Sequence, residues 1–225
     1  MPDMLLDTVI SLIIASLAVI VVLMADFRKS VGFFLGFCIF MAVAWVRLRI
    51  PFLGAAEICI GALMTGYVLW YAIGLLPGFP EPDTYSLKQL ITWPSRLIMP
   101  LSGAVVFMGL AVISVWPFFE DLSWYRYALY AKAGIPVAGA GLFGLTYHRD
   151  LLRRVFAFNV LGSGVFLLIV CFAGGTSYSM GPPVFMVTTG LVVAFFASFM
   201  VVMLIRRPPE TGKPQGFGGV KPDAF

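Results

Sequence analysis

The stretch Arg49–Gly66, RIPFLGAAEICIGALMTG, sets a single acid, Glu57, inside a run of apolar and small residues. Pro51 marks a helix start, because its missing N–H would have no partner in a first turn anyway. From Phe52 to Leu76 Glu57 is the only charged side chain, and about 20 apolar residues suffice to cross a ~30 Å hydrocarbon core. The reading is a membrane-spanning helix with Glu57 ~9 Å along it from Pro51, at ~1.5 Å per residue. A bare charge at that depth is costly, so intramembrane acids face a bundle interior or a water-filled cavity. Either the carboxyl takes a proton or a cation keeps it charged, and both states suit a proton or cation relay. The plainer alternative is a glutamate that hydrogen-bonds a neighbouring helix and moves no ion. Gly54, Glu57, Gly61 and Thr65 form a stripe that lets another helix approach closely.

The rest of the chain has the same character. Of its 225 residues 60% are hydrophobic and only 12% charged, with mean hydropathy +0.97, more apolar surface than a soluble domain of this size can hide. Seven spans are expected, with boundaries near Leu5–Ala25, Val31–Val46, Phe52–Leu76, Leu97–Pro117, Ala128–Tyr147, Leu151–Ala173 and Pro183–Ile205. The fold class is therefore all-α transmembrane. The first run is flanked by Asp3 and Asp7 rather than by Lys or Arg, with no small-residue cleavage site after it, and reads as a retained helix. The isoelectric point near 9.1 invites a nucleic-acid reading. The basic residues instead cluster between apolar runs, where they set topology. Eleven of the fifteen, among them Arg28, Lys29, Arg153, Arg154 and Arg206, fall on one side, and Arg47, Arg49, Arg126 and Lys132 on the other. The N-terminus is expected outside and the C-terminus in the cytoplasm.

Two connections exceed turns. In LPGFPEPDTYSLKQLITWPSR, Leu87, Leu90 and Ile91 share a helical face near Trp93, as in a short interfacial helix. FFEDLSWYRYALYAK groups Trp124, Tyr125, Tyr127 and Tyr130 in the manner of an interfacial belt. The tail after Ile205 has little to bury. Cys38, Cys59 and Cys171 lack metal-binding spacing and are expected to be free and buried.

Other polar side chains have bland and sharp readings. Arg47 and Arg49 either snorkel to headgroups or form a positive rim near Glu57, and snorkelling also suits Lys132. Asn159 makes an interhelical hydrogen bond or binds an ion. Thr188 and Thr189 bond back to their own helix by default. His148, the only histidine, lies in the turn YHRDLLRR as a solvated residue or a proton antenna. Gly134 with Ala138 and Ala140 with Gly144 are small-xxx-small pairs for close packing. No phosphate-binding loop, haem motif or catalytic triad is present, so no enzyme site, cofactor or metal is expected.

IPFLGAAEICIGALMT resembles the signature of a small three-helix module found in Mrp-type sodium/proton antiporters and the membrane-bound hydrogenases related to them (the MbhD-like module). Pro51, Glu57, Gly61 and Thr65 match its Pro, Glu, Gly and later Thr, whereas Phe52 and Ala56 replace its Asp and Thr. GLFGLTYHRDLLRRVFAFNVLGSGVFLLIV resembles the first two helices of the Mrp C-type subunit, itself similar to the NuoK-like subunit of respiratory complex I. MGPPVFMVTTGLVVAFFASFMVVMLIRR resembles its third helix, with Pro183 and Thr189 on the motif and Met180 in place of an Asp. Asn159 stands where the complex I relatives carry a relay glutamate.

The resemblance implies an MbhD-like module over 1–78, a linker with an interfacial helix and one span over 79–132, a Mrp C/NuoK-like module over 133–205, and a cytoplasmic tail over 206–225. It implies a subunit of a multi-pass antiporter complex in a prokaryotic cytoplasmic membrane. The partners would be large antiporter-like subunits, other small Mrp-type subunits and lipid, with no nucleic acid. Glu57 carries over as the relay, with Thr65, Asn159, Thr189 and His148 in support. One alternative is the ion-pumping subunit of an energy-converting hydrogenase or related redox assembly. Another is a helix bundle with a purely structural role.

Overall fold

A computed structural model describes residues 2–24, 26–75, 125–148, 150–175 and 180–206. The described residues are helical, with no strand among them. Helix α1 is Pro2–Leu23 and α2 is Phe27–Arg47. The third span joins α3 (Pro51–Ala56), a π-helical segment π1 (Glu57–Thr65) and α4 (Gly66–Leu75). Helices α5 (Tyr125–Tyr147), α6 (Leu151–Gly175) and α7 (Gly181–Arg206) follow. Six helices are long and apolar enough to cross a membrane, as in a multi-pass membrane protein, and they fall where six of the seven expected spans do. The expected fourth span, Leu97–Pro117, the interfacial helix around Leu87–Trp93, Trp124 and the tail from Arg207 onward lie outside the described residues.

Local chemistry sets the helix ends. Pro2 and Asp3 open α1, where a missing donor and a negative charge both suit a helix N-terminus. Asp26 caps α2, accepting from the Arg28 and Lys29 backbone N–H groups at 2.9 and 3.4 Å. Desolvation alone would raise its pKa, but these bonds and the nearby Lys29 charge hold its carboxyl below the ordinary value. Between α2 and α3, Ile50 N–H bonds to Trp45 C=O at 2.9 Å and Arg49 N–H to Val46 C=O at 3.0 Å. This is the Schellman pattern, with Arg49 in the left-handed position at φ 64° that Gly usually fills.

The spans interlock, with α1 against both α2 and α5, and α7 against both α6 and the third span. Helix α5 runs against α6 almost backbone to backbone: a Cβ at Gly141 would overlap the Leu161 backbone, and one at Gly164 the Ala138 backbone. The expected Gly134 and Ala138 pair lies in this contact, with Gly164 between them. Gly144 of the second pair packs on Ala157 and Val22. Phe27 and Phe34 of α2 meet Phe156 of α6 at centroid separations of 5.2 and 5.4 Å, within one apolar core. Helix α1 packs on α5, and α7 leans on π1, α3 and α4.

Two ends of the bundle are distinct. At one end the starts of α1 and α5 meet the end of α2, through Asp7, Arg126 and Arg47. At the other, His148 and Arg153 reach the last turn of α1. The third span runs antiparallel to α2, with Gly54 over Ala42 and Gly66 over Leu35, so Leu75 and Tyr125 stand at opposite ends.

Candidate functional site

Glu57 opens the π-helical segment. All four residues of the expected stripe, Gly54, Glu57, Gly61 and Thr65, are buried, so the stripe faces protein. A π turn is a local widening that often accompanies function. Thr65 Oγ donates to the Ile60 carbonyl, five residues back, at 2.8 Å, the same separation as the π backbone bonds. Glu57 is 2% exposed. Trp45 Nε1 donates to its Oε2 at 3.4 Å, and the Cys38 sulfur packs over Gly61 beside it. Its Oε1 lies over Gly61, 2.9 Å from where a Cβ would stand, so only glycine leaves the carboxyl its seat. Among the described residues no Lys or Arg forms an ion pair with Glu57.

The carboxyl faces a cavity of about 40 Å³ between α2, π1, α6 and α7. Asn159, Gly162 and Ser163 of α6 form the facing wall. Asn159 is 9% exposed; its Nδ2 donates to the Val155 carbonyl at 2.8 Å and to Ser198 Oγ at 3.3 Å. The interhelical bond expected of Asn159 is therefore made, to α7, while its position also puts it opposite Glu57. Of the other expected residues, Thr65 supports π1 but does not line this cavity, and Thr189 is exposed on α7. Thr188 bonds back to Val184 C=O at 2.8 Å. His148 lies at the far end of the bundle. It is 7% exposed rather than solvated, with Nε2 2.7 Å from the Val22 carbonyl. Burial disfavours its charged form and draws its pKa below the ordinary value, against the pull of that hydrogen bond.

The Arg47 end corrects a second expectation. The sequence makes Asp7 a flanking acid and Arg47 either a snorkelling base or part of a positive rim near Glu57. Instead Asp7 is 1% exposed. Arg47 Nε and Nη2 donate to it at 2.6 and 3.1 Å, Arg126 Nε lies 3.0 Å away, and Tyr130 OH donates at 3.2 Å. Tyr130, expected in an interfacial belt, is fully buried by this contact. Glu57 is thus not the only buried acid. Cys59 also departs from expectation, being exposed, whereas Cys38 and Cys171 are buried. Sequence reasoning missed Trp45, Cys38 and Ser163. Only Ser163 had a readable signal, since it follows Asn159 by four residues and so shares its helical face.

No family model, curated protein or solved structure matches the chain.

Proposed function

We propose that the chain is a membrane subunit of a Mrp-like cation/proton antiporter complex in a prokaryotic cytoplasmic membrane. It sits beside large antiporter-like subunits and other small Mrp-type subunits, and it helps form a lateral path for Na⁺ or H⁺. Glu57 is the group that takes up and releases a proton. The observation that carries this reading is the placement of Glu57, a buried carboxyl on a widened helical turn that opens on a cavity also lined by Asn159 and Ser163. A group that served packing alone would gain nothing from such a cavity.

Glu57→Gln is expected to abolish coupled ion transport in vesicles reconstituted with the complex, while assembly is unchanged. Full antiport in that variant would overturn the relay. A packing role draws on the Trp45 bond and makes the opposite forecast, because the Gln carbonyl accepts from Trp45 as the carboxyl does.

A further inference from the structure

We propose that the cavity beside Glu57 holds a short chain of water molecules through which Glu57 exchanges its proton, with Ser163 and Asn159 of α6 as the fixed polar groups on its far wall. The proposal rests on the reading of Glu57 as a proton-exchanging group, and it carries the path from the third span to α6.

Three observations lead there. First, the cavity measures about 40 Å³, against the ~10–15 Å³ that one water needs, which leaves room for about two or three. Second, the orientation of Asn159 is fixed by its partners. Only the amide nitrogen can serve the Val155 carbonyl, and Ser198 Oγ, which accepts from the same nitrogen, donates onward to the Ala194 carbonyl at 2.8 Å. The amide oxygen is then an acceptor with no protein donor among the described residues. Third, Ser163 is 7% exposed and lines the cavity, and among the described residues its hydroxyl has no protein partner. Among the described residues Ser11 Oγ is the one fully enclosed side-chain polar atom without a partner, so these two oxygens keep accessible surface of their own, as groups on the wall of a water-sized cavity do, and a dry cavity would leave both unpaired.

The chemistry follows from the groups. A proton leaving Glu57 joins the first water as that water passes one of its own to the next. The Ser163 hydroxyl accepts one hydrogen bond and donates another, so it continues the chain. Asn159 holds a water by its oxygen and surrenders no proton. Phe158, 42% exposed, is the one exposed residue among those lining the cavity. The open side therefore lies toward the outer face of α6, where lipid or an adjoining subunit would stand.

Infrared difference spectroscopy of the full chain in its native complex tests this. The carboxyl C=O band lost in Glu57→Gln belongs to Glu57, and its shift in D₂O times proton exchange. Gly162→Leu fills the cavity, and its backbone tolerates the change because a Cβ there meets only the Phe166 ring, at 3.7 Å. Ser163→Ala removes the hydroxyl with little change in volume, and gives the reading if Gly162→Leu does not assemble. Exchange is expected to slow by roughly tenfold or more in each variant, the loss of about one hydrogen bond. Exchange at the wild-type rate in either assembled variant overturns the proposal. So does the absence of any Glu57 carboxyl band. Transport that survives Glu57→Gln, where the wild type shows the band and the cavity variants slow its exchange, would remove the relay reading alone.

Discussion

Asp7→Asn isolates the ion cluster that ties α1, α2 and α5 together. The change keeps the shape and removes the charge. Asp7 Oδ1 accepts from Arg47 Nε and Tyr130 OH, and Oδ2 faces Arg47 Nη2 and Arg126 Nε. An asparagine can keep only one oxygen. If its carbonyl retains Arg47 Nε and Tyr130, its NH₂ group confronts two guanidinium donors. Two charge-assisted bonds are lost, each worth ~1.5–3 kcal/mol, and two arginines are left facing each other. Breaking a fully buried pair costs ~3–5 kcal/mol. Here the Arg47 and Arg126 side chains are 23% and 34% exposed and can turn partly to water, which brings the expected cost to about 2–4 kcal/mol.

On the scaling of soluble domains of this length that is a fall in Tm of roughly 4–16 °C. The assay is thermal unfolding of the purified full-length chain in detergent, with Asp3→Asn alongside. Asp3 makes one bond to Arg47 at 3.2 Å and its side chain is 70% exposed, so its loss is expected to cost under ~1 kcal/mol. If Asp7→Asn melts with the wild type, or if Asp3→Asn costs as much, the buried-cluster account is wrong.

Three further outcomes are expected. Gly61→Ala puts a Cβ 2.9 Å from Glu57 Oε1 and must displace the carboxyl. The Trp45 bond, already 3.4 Å, then breaks, and transport falls by roughly tenfold or more for a loss of about 1–2 kcal/mol at the site; antiport at the wild-type rate would contradict the seat assigned to Gly61. Arg49→Gly relieves a left-handed residue and is expected to raise stability by about 0.5–1 kcal/mol, read as a higher Tm, with a lower Tm showing that the side chain matters more than its backbone. His148 titrates lower in the fold than in the unfolded chain. Between those two values the unfolded chain binds more protons, so stability is fully present above pH ~6.5. It is lost as pH falls through the lowered folded value. A Tm-against-pH slope below pH ~6.5 should flatten in His148→Gln, and a slope that persists there assigns it to another group.

What the sequence made legible is what depends on short-range pattern. Hydropathy located the spans because lipid imposes a length and a composition on each helix separately. Pro51 and the stripe of Gly54, Glu57, Gly61 and Thr65 were readable because spacing along one helix fixes a face. What it hid depends on which helix stands opposite. Asp7 and Arg47 are forty positions apart, and nothing in either segment announces the other. His148 follows the end of α5 directly and looks solvated until the last turn of α1 is laid over it. Thr189 could not be placed because α7 is apolar on all sides, and a helix without a polar face does not reveal which side is buried. The π turn was invisible for a related reason, since a run of Ile, Gly, Ala and Leu is compatible with either helical pitch.

The distribution of polar contacts also explains why Glu57 can be tolerated where it is. At the Arg47 end, Asp7 with two arginines and Tyr130 pins three helices to one point. At the His148 end, the carbonyls of Val21, Val22 and Met24 accept from Ser30, His148 and Arg153. Both ends of α1 are therefore held by hydrogen bonds to other helices, and the glycine contacts of α5 with α6 hold a third seam. The middle of the third span has no comparable tie. There the backbone departs from α geometry, Gly61 withholds a side chain, and a cavity remains beside the one acid with no cationic partner among the described residues. Buried polar groups cost least where the surroundings can admit water and shift slightly. In a bundle tied at its ends by these bonds, the cavity gives that room to the turn that carries Glu57. Stiffening this turn, rather than either end, is the change to which transport should respond most.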